Sequence, residues 1–177
     1  MIESIAVIFS LISVWLTARK NILCWSTGIV GVLAYSILFY QHRDWVNFSL
    51  QFVFLAQSIW GWSNWNKSDL KISRLELSDL LSIITFGIIG FFSFQLFAIG
   101  FNGNLTTLDS ITSVLSLIAM FLMASGKIEN WILWMVADIL YIYFFFLNQL
   151  YLSSALYFLF LILATYGYFN WKKQIKQ

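Results

Sequence analysis

Asp138 is a carboxylate inside WILWMVADILYIYFFFLNQ, Trp131 to Gln149, a stretch otherwise almost wholly apolar and aromatic. If that stretch crosses a bilayer, Asp138 lies roughly 10 Å beyond its tryptophan end. A charge at such depth in a hydrocarbon core about 30 Å thick is costly, and it normally faces a pathway, a partner or a ligand. On a helix, Trp131, Trp134, Tyr141 and Phe145 share its face. An acid beside aromatic rings suits a flat cationic solute, because ring faces and carboxylate both favour positive charge. Two other readings stay open. Asp138 could be hydrogen-bonded to a neighbouring helix as structural glue, or it could exchange a proton as the protein changes conformation. No second buried acid or histidine extends a relay.

The stretch QFVFLAQSIWGWSNW, Gln51 to Trp65, supplies amides. Gln51, Phe54, Leu55 and Ser58 form one stripe; Gln57, Trp60, Gly61 and Asn64 form another. Buried amides must find partners, and sugar hydroxyls, a carboxamide or a neighbouring helix would all serve. The candidate solute contacts are Gln51, Gln57, Ser58, Trp60, Trp131, Trp134, Asp138, Tyr141 and Tyr157. Other chemistry is poorly supplied. Cys24 and His42 are single, so neither a disulfide framework nor a clustered metal site can form, and no cofactor is implied. No nucleophile–base pair or P-loop is present, which speaks against an enzyme. A net charge of +2 does not suggest nucleic-acid binding.

The elements that must hold these residues are apolar spans. The chain is 60% hydrophobic and 10% charged, against about a quarter charged in a soluble domain, and it has no proline. Seven spans are expected: about Ile2–Ala18, Ile22–Tyr40, Trp45–Trp65, Leu80–Ile99, Leu108–Ala124, Trp131–Phe146 and Leu150–Trp171. Lipid leaves no partner for open backbone groups, so each is a helix. Arg19, Lys20, Lys67, Lys71, Arg74, Lys127, Lys172, Lys173 and Lys176 fall on one side of a seven-span protein and Arg43 alone on the other. The positive-inside rule then places the N-terminus outside and the C-terminus in the cytoplasm. Lys67–Asp79 reads as a solvated linker, and no cleaved signal peptide is expected.

The sequence also aligns with itself, without a gap, at an offset of 106 residues. SLI at Ser10 meets SLI at Ser116, Trp25 meets Trp131, Tyr35 meets Tyr141, and WGWSNW at Trp60 meets YGYFNW at Tyr166. Gln51 falls opposite Tyr157, and Asp138 opposite Val32. The reading is one transmembrane domain over residues 1–177: repeat 1 at about 2–66, a linker helix at about 80–99, and repeat 2 at about 108–172. Three spans per unit plus one connector make the repeat parallel, as in transporters whose site lies between halves. Duplication also makes scaffolds with no transport role. Asn64 and its counterpart Asn170 sit near span ends, where interfacial or gate packing suits them better than solute contact.

Beyond symmetry, LDSITSVLSLIAMFLMASGKIENWILW, then Asp138, then LYLSSALYFLFLILATYGYFNWKK resembles the Pnu family of bacterial vitamin-precursor transporters. The Gln51–Trp65 stretch resembles that family's third core helix, and ENW at Glu129–Trp131 with Trp134 is the more specific match. The resemblance implies a three-plus-one-plus-three bundle like the sugar-transporting SWEET proteins, in the bacterial inner membrane. It further implies facilitated diffusion of nicotinamide riboside, with a cytoplasmic kinase trapping the solute. Gln51 matches the family's glutamine. Asp138 and Ser58 stand where asparagines are expected in nicotinamide riboside carriers. Both nicotinamide riboside and thiamine are cationic, so the departures leave the class intact and keep thiamine as the alternative. Oligomeric state is not implied.

Overall fold

The computed structural model describes residues 2–67, 71–100 and 106–175. Seven α-helices run in chain order: α1 Ile2–Ala18, α2 Leu23–Gln41, α3 Trp45–Asn66, α4 Leu77–Gly100, α5 Thr107–Ala124, α6 Asn130–Leu147 and α7 Tyr151–Ile175. Each expected span is a helix, with ends moved by a few residues. Five of them (α2, α4, α5, α6 and α7) are long and apolar enough to cross a membrane on their own. At 17 residues, α1 spans about 25 Å. The sequence of α3 is diluted by Gln51, Gln57, Asn64 and Asn66.

The connections are tight because each hairpin turns through one left-handed residue. These are Lys20 after α1, Arg43 after α2, Gly126 after α5 and Gln149 after α6, with φ between 55° and 72°. Side chains start two of the helices. The Asp44 carboxylate accepts from Asn47 N at 3.1 Å to cap α3. Thr106 and Asp109 form a reciprocal capping box on α5.

Packing closes six helices into a ring. α1 packs on α2, α2 on α3, α3 on α5, α5 on α6, α6 on α7, and α7 back on α1, while α4 leans on the outside of α5. Ser10 and Ser13 of α1 lie 3.1 and 3.0 Å from where Cβ atoms would stand on Gly31 and Gly28 of α2, so the glycines let these helices approach. The outer face of α4 is apolar and exposed, as a lipid-facing helix should be.

The linker departs from expectation. Of Lys67–Asp79, residues 68–70 lie outside the described residues, but residues 71–76 form a strap rather than a solvated loop. Ser73 N donates to Gly126 O at 3.0 Å, and Ile128 N donates to Ser73 O at 3.0 Å. Leu75 N donates to the Glu129 carboxylate at 3.0 Å. Ile72 is buried against Ala18, Trp131 and Trp171. An apolar side chain with a tryptophan-lined hollow in reach outweighs the polarity of its neighbours.

Candidate functional site

The ring encloses a cavity of about 360 Å³, at the small end of the range for single small-molecule sites. All six ring helices line it and α4 does not. Each contributes one face. From α1 come Ser10, Ser13 and Thr17; from α2, Val32 and Tyr35; from α3, Asn47 and Gln51. Across the ring stand Ser113 and Ser116 of α5, Trp131, Trp134, Asp138 and Tyr141 of α6, and Tyr157 of α7.

The wall of α6 is set from its first turn. Asn130 Nδ2 donates to Lys127 O at 2.6 Å, which fixes the entry to the helix. Trp131 follows, 1% exposed, and its indole lies flat on Gly167, where any Cβ would come within 2.6 Å of the ring. Two turns on, Asp138 is 5% exposed, lines the cavity, and makes no hydrogen bond or ion pair with any described residue. One turn further, Tyr141 is held by a 2.8 Å hydrogen bond with Thr112. It stacks on Tyr157 at 4.5 Å and 29°, and Tyr157 stacks in turn on Phe145 at 5.4 Å and 20°. The carboxylate therefore shares the cavity lining with Trp131, Trp134, Tyr141 and Tyr157. On the facing side Gln51, 7% exposed, also lacks a protein partner while lining the cavity. Two polar side chains without a protein partner thus face one hollow, where a solute or water can meet them.

Six of the nine residues singled out from the sequence thus meet at one cavity: Gln51, Trp131, Trp134, Asp138, Tyr141 and Tyr157. The other three lie outside its lining. Gln57 reaches across to α5, Nε2 donating to Leu117 O at 3.1 Å. Ser58 Oγ donates to Phe54 O at 2.8 Å, back-bonded within its own helix. Trp60 is 41% exposed on the outer surface, stacked on Phe121 at 5.2 Å and 10°. The reading from sequence missed Ser10, Ser13, Tyr35, Asn47, Ser113 and Ser116. The internal alignment held a signal for one of them: Tyr35 is the counterpart of Tyr141.

No Lys, Arg or His lines the cavity among the described residues, and Asp138 is its one charged side chain. The arrangement can hold a small, flat, hydrogen-bonding solute and favours positive charge. It offers no reacting constellation, and no group of described residues could hold a metal ion.

A ring of apolar helices around a solute-sized hollow with a carboxylate in its lining is the architecture of a multi-pass membrane transporter. The family model described as "Nicotinamide mononucleotide transporter" matches residues 1–173, and the chain belongs to that family. The nicotinamide riboside transporter PnuC of Escherichia coli K12 is 27% identical over 96% of this chain and 84% of its own length. That of Neisseria mucosa is 24% identical over 99% of this chain and 73% of its own length. The crystal structure of the vitamin B3 transporter PnuC superposes with a TM-score of 0.83 at 23% identity, covering 99% of this chain and 82% of that one.

Proposed function

We propose that this protein carries nicotinamide riboside into the cell by facilitated diffusion, with phosphorylation by a cytoplasmic kinase trapping the solute. The observation that carries the reading is an Asp138 carboxylate with no protein partner lining the same cavity as the stacked Tyr141 and Tyr157, suited to a cationic pyridinium, in a chain whose relatives bear that solute in their names. Trp131, Trp134, Tyr141 and Tyr157 wall the ring. Asp138 balances its charge, and Gln51 bonds its hydroxyls or amide. Gln57, Ser58 and Trp60 support the wall from behind rather than touching the solute.

The family model is described by the mononucleotide, but this cavity argues for the nucleoside. A phosphate would lie beside Asp138 with no cation to meet it, and an unpaired buried charge is expensive.

The chain is arranged as two parallel three-helix units, residues 2–66 and 108–172, joined by α4. Left-handed turn residues recurring 106 positions apart, Lys20 with Gly126 and Arg43 with Gln149, support this. The protein sits in the bacterial inner membrane with its basic end in the cytoplasm, as the clustered lysines and arginines favour.

The test is a tryptophan-fluorescence titration of purified protein with nicotinamide riboside, thiamine, riboflavin and nicotinamide mononucleotide. Saturable binding of the riboside, weakened at least tenfold in Asp138→Ala, is expected. Saturation by thiamine alone moves the assignment to that vitamin. Binding of none of them overturns the vitamin reading.

A further inference from the structure

At the basic end of the ring, four tryptophans and two asparagines cluster beyond the cavity, and Trp131 of the cluster also lines it. Trp25 meets Trp65 edge-on at 5.3 Å, Trp65 meets Trp171 at 5.9 Å, and Trp171 meets Trp131 edge-on at 5.5 Å. The outer pairs are wedged within their own halves. A Cβ on Gly61 would lie 2.3 Å from the Trp25 ring, and one on Gly167 would lie 2.6 Å from the Trp131 ring.

The hydrogen bonds cross between halves instead. Asn64 Nδ2 donates to Ala124 O at 2.9 Å, and Trp65 Nε1 to Met123 O at 3.2 Å. Reciprocally, Asn170 Nδ2 donates to Ala18 O at 2.7 Å, and Trp171 Nε1 to Thr17 O at 3.1 Å. The last turn of α5 is clasped by α3, and the last turn of α1 is clasped by α7. Ala18 O and Ala124 O have no backbone donor at these helix ends, while Thr17 O and Met123 O also accept from Lys20 N at 2.8 Å and Gly126 N at 3.0 Å.

We propose that the two Asn–Trp clasps and the Trp65–Trp171 contact are the gate at this end of the transport path. Opening separates α3 from α5 and α7 from α1 as rigid halves, leaving the Trp25–Gly61 and Trp131–Gly167 wedges intact. The bonds that break are neutral and lie at helix ends, where water can replace them, so their loss is largely offset. The helices hold no proline kink to open by, and Gly28, Gly31, Gly61 and Gly167 are all in close helix contacts, so the seam between halves is where we place the movement. The gate also senses the cavity. Thr17, Met123 and Trp131 line the cavity, yet the first two supply clasped carbonyls and the third packs on Trp171. A solute seated against Trp131 therefore acts on the gate directly.

The experiment rests on the carrier reading but does not need its solute. In a Cys24→Ser background, Ser116→Cys in the cavity is labelled by an impermeant maleimide applied from either side of oriented vesicles. Asn64→Ala with Asn170→Ala should raise labelling from the basic side at least tenfold and leave or lower labelling from the opposite side. Trp65→Phe with Trp171→Phe keeps the rings and removes both indole donors, so it should shift access the same way if the asparagine variants fold poorly. Unchanged access in folded variants, or equal gains from both sides, overturns the gate. Failure of riboside binding with one-sided gain intact would overturn the solute and leave the gate standing.

Discussion

At the scale of single residues, charge and close contact make separable predictions. Asp138→Asn keeps the shape and a hydrogen-bonding group but removes the charge. It should weaken nicotinamide riboside binding less than Asp138→Ala does, and it should erase the preference over a neutral pyridine nucleoside. Calorimetry with both ligands decides this: equal weakening for charged and neutral ligands would mean that Asp138 contributes only a hydrogen bond. The two wedge glycines test packing. Gly61→Ala or Gly167→Ala places a methyl within 2.3–2.6 Å of an indole that has little room to retreat. Each should cost about 1–3 kcal/mol, read as a lower unfolding temperature in detergent. An unaltered melting point would show that the indoles can shift aside.

At the scale of elements, the helices were legible in the chain because their cause is local: apolar runs in lipid must satisfy their own backbone. The turns were less legible, since three of the four left-handed residues are Lys20, Arg43 and Gln149 rather than glycine. Gly126 is the exception, and its substitution is informative. Gly126→Ala forces a Cβ into the left-handed region and should destabilise by about 1–2 kcal/mol. That turn also accepts Ser73 N, so the strap should loosen with it, seen as faster proteolysis between α3 and α4. The strap itself was invisible in a polar, nearly charge-balanced segment. Only a partner far along the chain, the Gly126–Glu129 turn and the tryptophan hollow, gave Ile72 somewhere to go.

For the whole molecule, selectivity and sidedness follow from the distribution of charge. A cavity whose single charge is negative should bind nicotinamide mononucleotide at least a hundredfold more weakly than the riboside, and competition in the fluorescence titration measures the ratio. Comparable affinity would require a cation that the lining does not hold. A tag on the C-terminus should be reached only from the cytoplasmic face, by the excess of basic residues there.

Helices, their approximate ends, the 106-residue echo and the oddity of Asp138 were all readable because each rests on local composition or on comparison of the chain with itself. Inward and outward faces were not readable in the same way. Gln51 and Gln57 are the same residue type six positions apart on one helix, yet one lines the cavity and the other bonds the α5 backbone. Trp60 and Trp131 were equally plausible walls, yet one stacks on the outer surface and the other lines the cavity. In a membrane both faces of a helix are apolar, so hydrophobic periodicity, which separates core from solvent in a soluble fold, carries little information here. The closure of six helices into a ring, set by glycine contacts and crossed asparagine–tryptophan clasps distant in sequence, selected the face each presents to the solute.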